Sequence, residues 1–253
     1  MLLSIRMNDA RLWKNLIGAI ATLVDEASFD ADAEGIKLRA MDPSHVAMVD
    51  FEWPKTIFEE YVCDEPTKLC INISEMLKLL RRVGGDESIS LELEEKTGRL
   101  KMTLTSKYSR VFRMATLEAS TEEVPTPKIA FNSTVKITTT CMRNAVDDAS
   151  TVSDHIQFET ADDKFVIRAS GDVGSVTIDV GKESEEILSF EVKEASKAMF
   201  SLNYLAEMVK AAANVSDIVT IEFSTDMPVR LNFELPQSGR LQYYLAPRIE
   251  SSY

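Results

Sequence analysis

The strongest constraint on this 253-residue chain is an internal repeat at an offset of 129 residues. At that offset Asn15 meets Asn144, Thr22 meets Thr151, Asp25 meets Asp154 and Phe29 meets Phe158. Arg39 and Ala40 fall on Arg168 and Ala169, and Asp50 falls on Asp179. The register holds from about residue 9 to about residue 82, longer than chance agreement between short strands would last. A duplicated chain of this length folds as two similar bodies, each large enough to bury its own core. Tandem duplication points to a framework built for geometry, with shape ahead of chemistry.

Each half reads as a strand, a helix and a run of strands, and then repeats that order. In the first half a strand is expected over 2–7 and a helix over 8–24, with Trp13, Leu16, Ile17, Ile20 and Leu23 on one helical face. Strands follow at 26–30, 35–41 and 46–53, with Ala33-Glu34-Gly35 as a turn. A second strand at 68–73 leads into a helix with Ser74 as N-cap, Leu77, Leu80 and Val83 inward, and Gly84-Gly85 as the stop. Strands then run over 88–94, 99–106 and 109–115. The second half places helices at 139–152 and 203–213. Most connections are too short for parallel crossovers, so the fold class is α+β with predominantly antiparallel strands. It comprises two tandem similar domains, 1–115 and 131–253, each made of two strand–helix–strands units. Between them, 116–130 holds two prolines, three glutamates and no periodicity, which marks an extended connector. Val124, Pro127 and Ile129 are apolar in this segment, so it is also a candidate wall of a partner groove.

Composition removes several function classes. The net charge of −13 opposes indiscriminate adhesion to nucleic acid, so any DNA contact has to be local or enforced by shape. Arg6 and Asp9 interrupt the apolar start, leaving no targeting segment, and no stretch is long enough to span a bilayer. A soluble, intracellular protein without membrane partners is expected. Cys63, Cys70 and Cys141 lack metal-ligand spacing and read as reduced thiols. No phosphate-cradling loop, His-Glu-x-x-His or Gly-x-Ser-x-Gly pattern occurs, so no cofactor, metal site or catalytic residue is expected. The one suggestive cluster is Asp42-Pro43-Ser44-His45. Triad members normally meet from separate elements, and Asp-Pro-Ser is a turn composition. A strand connection, a partner-contact loop and an enzyme built on Asp42 and His45 all remain open here.

The stretch Leu38-Arg39-Ala40-Met41-Asp42-Pro43-Ser44-His45-Val46 resembles the sliding clamps of the proliferating cell nuclear antigen family, particularly its archaeal members. The run Gly239-Arg240-Leu241-Gln242-Tyr243-Tyr244-Leu245-Ala246-Pro247-Arg248-Ile249-Glu250 is similar to that family's C-terminal signature, and the likeness covers the whole chain. The resemblance implies the DNA clamp fold, closed head to tail into a trimeric ring around double-stranded DNA without sequence preference. It implies a polymerase processivity factor with no catalytic activity, active in replication and repair. DNA polymerase, clamp loader, flap endonuclease and DNA ligase would dock through short peptide motifs. A homotrimer and one subunit of a heterotrimer are both open. The expected location is the cytoplasm, at the archaeal nucleoid, or the nucleus if the source is eukaryotic.

Three sets of residues follow from this resemblance. Lys14, Lys78, Arg81 and Lys210 would face DNA from the helices. Those helices and their flanks carry seven basic against five acidic groups, a net of +2, which leaves −15 on the remainder. Met41, His45, Val46, Val124, Pro127, Phe131, Pro228, Tyr244, Leu245, Ala246, Pro247 and Ile249 would form the partner-peptide groove. Arg82 and Arg110 would face Asp148 of the neighbouring subunit. Strands at 109–115 and near 174–180 would pair edge to edge across the contact.

Overall fold

The computed structural model describes residues 2–118 and 124–249. The first half runs β1 (Leu3–Met7), α1 (Ala10–Ile20), β2 (Glu26–Asp32), β3 (Gly35–Met41), β4 (Ala47–Pro54), β5 (Glu60–Cys63), β6 (Thr67–Asn72), α2 (Ile73–Leu80), β7 (Ser88–Glu94), β8 (Arg99–Thr105) and β9 (Ser109–Ala115). The second runs β10 (Ser133–Thr138), α3 (Thr139–Ser150), β11 (His155–Thr160), β12 (Lys164–Gly171), β13 (Gly174–Gly181), β14 (Ile187–Val192), β15 (Lys197–Ser201), α4 (Leu202–Ala212), β16 (Ile218–Phe223), β17 (Val229–Glu234) and β18 (Arg240–Leu245). The order β-α-β-β-β thus recurs four times, with β5 and β14 as the two additions.

Two compact units result: Met1–Pro43 with Val49–Pro125 and Leu235–Leu241, and Ser44–Met48 with Thr126–Glu234 and Gln242–Tyr253. In the first, β1 pairs antiparallel with β7 and β6 pairs antiparallel with β2. Each strand–helix element therefore lends its opening strand to the sheet of the other, giving the orders β5-β1-β7-β8-β9 and β6-β2-β3-β4. The second unit repeats the exchange through β10 with β16 and β15 with β11. Neither repeat can complete its sheets alone, which is why the repeated elements come in pairs.

The offset of 129 survives past residue 82, with one interruption. Ile89, Leu91 and Leu93 point inward from β7, and their counterparts in β16 are Val219, Ile221 and Phe223, an offset of 130. By β8 and β17, Leu100, Met102 and Leu104 match Val229, Leu231 and Phe233 at 129 again. A slip of one residue exchanges the two faces of a strand, so sequence identity fades there while the inward pattern persists.

Beneath α1, Trp13, Phe29, Phe51, Trp53, Phe58 and Tyr61 form a continuous chain of ring contacts. Trp13, Leu16, Ile17, Ile20 and Leu23 are all buried, each contributing about 1.5–3 kcal/mol on leaving water. The second unit centres on Phe158, Phe165, Phe200 and Phe223. Two helix boundaries differ from expectation. Asp9 caps α1 by accepting from the Arg11 amide at 2.9 Å, which shortens the expected helix of 8–24. Asn72, not Ser74, caps α2, accepting from the Glu75 amide at 2.8 Å. Ser74 donates instead to Asp25 Oδ1 at 2.7 Å, and Met76 takes the fully buried place that Leu77 was expected to hold.

Candidate functional sites

Each unit packs its two helices against one another and turns their charged residues outward. In the first unit, Lys14 Nζ donates to the carbonyl oxygens of Arg81 and Val83 at 3.3 and 3.2 Å. A cation set at the carbonyl end of a neighbouring helix is favoured by the helix dipole, and it ties α1 to the end of α2. Arg11 closes a fork on Asp9, with Nε 3.0 Å from Oδ1 and Nη2 2.8 Å from Oδ2. That hydrogen bonding holds the Asp9 carboxyl below the usual range. Lys78 pairs with Glu75 one turn away at 2.7 Å, while Arg81 and Arg82 are exposed. In the second unit Arg143 lies 3.8 Å from Asp147, and Lys210 and Asp148 are exposed. Of the four residues expected to face DNA, Lys14, Lys78 and Lys210 are on helices and Arg81 caps the end of α2, although Lys14 is half-buried and committed to packing.

The residues expected to form the apolar groove divide between the units. His45, Val46, Pro127, Phe131, Pro228 and the 244–249 segment belong to the second, whereas Met41 and Val124 belong to the first. Within the second unit, the Ala246 amide donates to Val46 O at 2.9 Å. This bond joins the C-terminal segment to the loop after β3. The Arg248 amide donates to Met199 O at 2.7 Å, which pairs Arg248 with the edge strand β15. Arg230 stacks its guanidinium over the Phe131 ring at 5.0 Å. It also grips Glu222 with Nε and Nη2 at 2.5 and 2.6 Å, and the bonded carboxylate raises its pKa. Pro228, Ala246 and Pro247 are half-buried and Ile249 is 73% exposed.

Tyr244 and Leu245, expected in the groove, are 7% and 1% exposed and so offer it almost no open surface. Met227, 41% exposed and following Asp226 in the left-handed region, is an apolar surface residue that sequence reasoning missed. His45 also adopts positive φ (56°) and is exposed, while Asp42 is buried. Asp42 to Val46 is a turn between β3 and β4. In the first unit, Arg39 Nη1 donates to Val124 O at 3.2 Å, and Leu117 N donates to Cys70 O at 2.9 Å. These contacts anchor the expected connector on either side of residues 119–123, which lie outside the described residues.

β9 and β13 are both sheet edges, with Val111 48% exposed on one and Val173 86% exposed in the turn leading to the other. The Arg110 guanidinium is bonded to Glu87, which also accepts from the Gly84 amide at 2.8 Å. The Gly84 hydrogen bond, ahead of the Arg110 contact, lowers the Glu87 pKa.

Two family models match the chain in tandem. They are described as "Proliferating cell nuclear antigen, N-terminal domain", over residues 2–123, and "Proliferating cell nuclear antigen, C-terminal domain", over residues 125–248. A protein of Pyrobaculum aerophilum named DNA polymerase sliding clamp 1 is 40% identical, over 96% of each chain. A DNA polymerase sliding clamp of Nitrosopumilus maritimus is 38% identical, over 94% of this chain and 95% of its own. Among solved structures, the PCNA of Thermococcus kodakaraensis superposes with a TM-score of 0.92 at 26% identity, over 97% of this chain and all of its own. A chain from a PCNA2–PCNA3 complex of Sulfolobus tokodaii gives 0.90 at 28%, over 97% and 99%.

Proposed function

This chain belongs to the proliferating cell nuclear antigen family, and on that premise we propose that it is a DNA polymerase sliding clamp, a processivity factor without catalytic activity. Three copies close into a ring around duplex DNA and carry polymerase, clamp loader, flap endonuclease and ligase on peptide motifs docked at the apolar surface of the second unit. The observation that carries this reading is a pair of edge strands of similar length, β9 with seven residues and β13 with eight. A contact between two different surfaces repeats head to tail and forms a ring when its rotation divides a full turn. Pairing β9 of one copy with β13 of the next satisfies the open hydrogen-bonding groups of both edges.

Enclosure also reconciles a chain of charge −13 with a nucleic-acid partner. A closed ring stays on DNA by topology, so its contacts need only be loose and blind to sequence. Strong adhesion would oppose sliding. At the apolar surface, Ile249, Met227, Pro228 and Pro247 offer contact area to an aromatic anchor, the kind of side chain that dominates peptide affinity.

A subunit of a mixed ring is the second reading, favoured by the matched Sulfolobus chain, which comes from a PCNA2–PCNA3 complex. Light scattering of the purified chain distinguishes the two. A homotrimer has three times the 28.3 kDa of one chain. A stable monomer at micromolar concentration contradicts the homotrimer, and trimer formation only on adding sister chains supports the mixed ring.

A further inference from the structure

The repeat duplicates a cross-strand ion pair, and the two copies differ at one point. Glu92 of β7 lies opposite Lys101 of β8, and Glu222 of β16 lies opposite Arg230 of β17. The first pair closes through a lysine at 3.1 Å, the second through a guanidinium at 2.5 and 2.6 Å. A lysine suffices for the ion pair, so the pair alone does not account for the arginine. What the second unit adds is the Phe131 ring, whose centre lies 5.0 Å from Arg230 Cζ. A planar guanidinium can grip a carboxylate and cover an aromatic face at the same time, whereas an ammonium group is a point charge.

Phe131 ends a stretch of chain that depends on such holds, because residues 124–131 belong to no helix or strand. On either side of that ring, the Ser224 hydroxyl accepts from the Asn132 amide at 2.9 Å and donates to Ala130 O at 3.5 Å. Ser224 is buried and opens the turn between β16 and β17 that carries Met227 and Pro228. The repeat does not copy this clip. The residue after Leu93, which matches the one after Phe223, is Glu94, and it bonds to Thr97 and Arg113. The strands of the first unit thus form with Lys101 and Glu94 at these places, so neither Arg230 nor Ser224 is a requirement of the fold. Both act where the connector enters the second unit, beside Phe131 of the proposed peptide surface.

We propose that Arg230 and Ser224 are positioning residues for partner docking: the stack on Phe131 and the clip on Ala130 and Asn132 hold the end of the connector in the conformation that receives a peptide. Neither side chain is assigned a contact with the peptide. The inference rests on the docking reading above and says how that surface is kept ordered before a partner arrives. A surface ordered in advance spares the peptide the cost of ordering it, so affinity rises without added contacts.

Two variants test this. Arg230→Lys copies the pair of the first unit, keeping a cation opposite Glu222 while removing the planar stack. Ser224→Ala removes the clip alone. Amide hydrogen exchange at residues 129–132 is measured on the assembled protein without peptide. Affinity is measured by anisotropy with a labelled synthetic peptide carrying phenylalanine anchors. In each variant, exchange is expected to accelerate and peptide affinity to fall about three- to tenfold, with a melting temperature within about 3 °C of the parent. Full affinity in both variants overturns the inference, whatever the exchange shows. Lost affinity with unaltered exchange makes the two residues peptide contacts and overturns it as well. A parent that does not bind the peptide refutes the docking reading itself, and this failure is told apart because exchange is read without peptide.

Discussion

Replacing Asp50 by Ala probes a buried ion pair of the first unit. Its carboxylate is 5% exposed and accepts from Nε and Nη2 of Arg39 at 2.8 and 2.6 Å. Removing one partner of a fully buried pair costs about 3–5 kcal/mol, because the other charge is left without compensation. Arg39 is 26% exposed and retains part of its hydration, which brings the expected loss to about 2–3 kcal/mol. Arg240 adds little: it lies 3.9 Å from the same carboxylate, and its own nearer partner is Glu52 at 3.0 Å. The assay is urea unfolding followed by tryptophan fluorescence, which reports on this unit because both tryptophans, Trp13 and Trp53, belong to it. The double variant Arg39→Met, Asp50→Leu removes both charges together and is expected to stay within about 1 kcal/mol of the parent. It also deletes the bond to Val124 O, so amide exchange in the 124–130 segment should accelerate. A loss under about 1 kcal/mol for Asp50→Ala, or a double variant as unstable as the single, would refute the reasoning.

Further outcomes follow from the same reasoning. Gly35 has φ 151° and a Cβ there would lie 2.1 Å from Trp53 O, so Gly35→Ala should cost at least about 3 kcal/mol or prevent folding in a thermal melt. Gly98, at φ 61° with open space around it, should lose only about 1 kcal/mol on the same change. Asn72→Ala should cost about 1 kcal/mol by removing the α2 cap, against a few tenths for Ser74→Ala; the reverse order in urea midpoints would contradict the cap assignment. Glu87 has a depressed folded-state pKa, so its stabilisation is present above the ordinary glutamate pKa of 4.5 and is lost as pH falls through the lower folded value. The melting temperatures of the parent and Glu87→Gln should therefore differ near neutrality and converge in acid, and a constant gap down to the lowest pH would count against it.

Much of this architecture was legible because the helices bury an unbroken apolar stripe and because the repeat fixed what followed. Trp13, Leu16, Ile17 and Ile20 could lie on one face only as a helix. β5, with four residues, is too short for alternation to stand out, and it is held by pairing with β1 that no local pattern encodes. The Asn72 cap was obscured because Asn72 and Ser74 are both good cap residues, and the preference was settled by the distant Asp25 that Ser74 reaches. The same limit applies to the candidate sites. Charge could place Lys14 on a helix, but the carbonyls of Arg81 and Val83 that hold it are 67 and 69 residues away. The resemblance of the C-terminal run placed Tyr244 and Leu245 in the partner-peptide groove, whereas the strand alternation that would assign an inward face fails in β18, where every residue after Arg240 is buried.

In the proposed function, copies of this chain enclose DNA. That enclosure is tested most directly by loading the assembled protein onto nicked circular duplex, then linearising that DNA with a single cut and measuring the protein that remains. Stable retention on the circle and rapid loss through the free ends are expected. Equal retention before and after the cut would contradict enclosure.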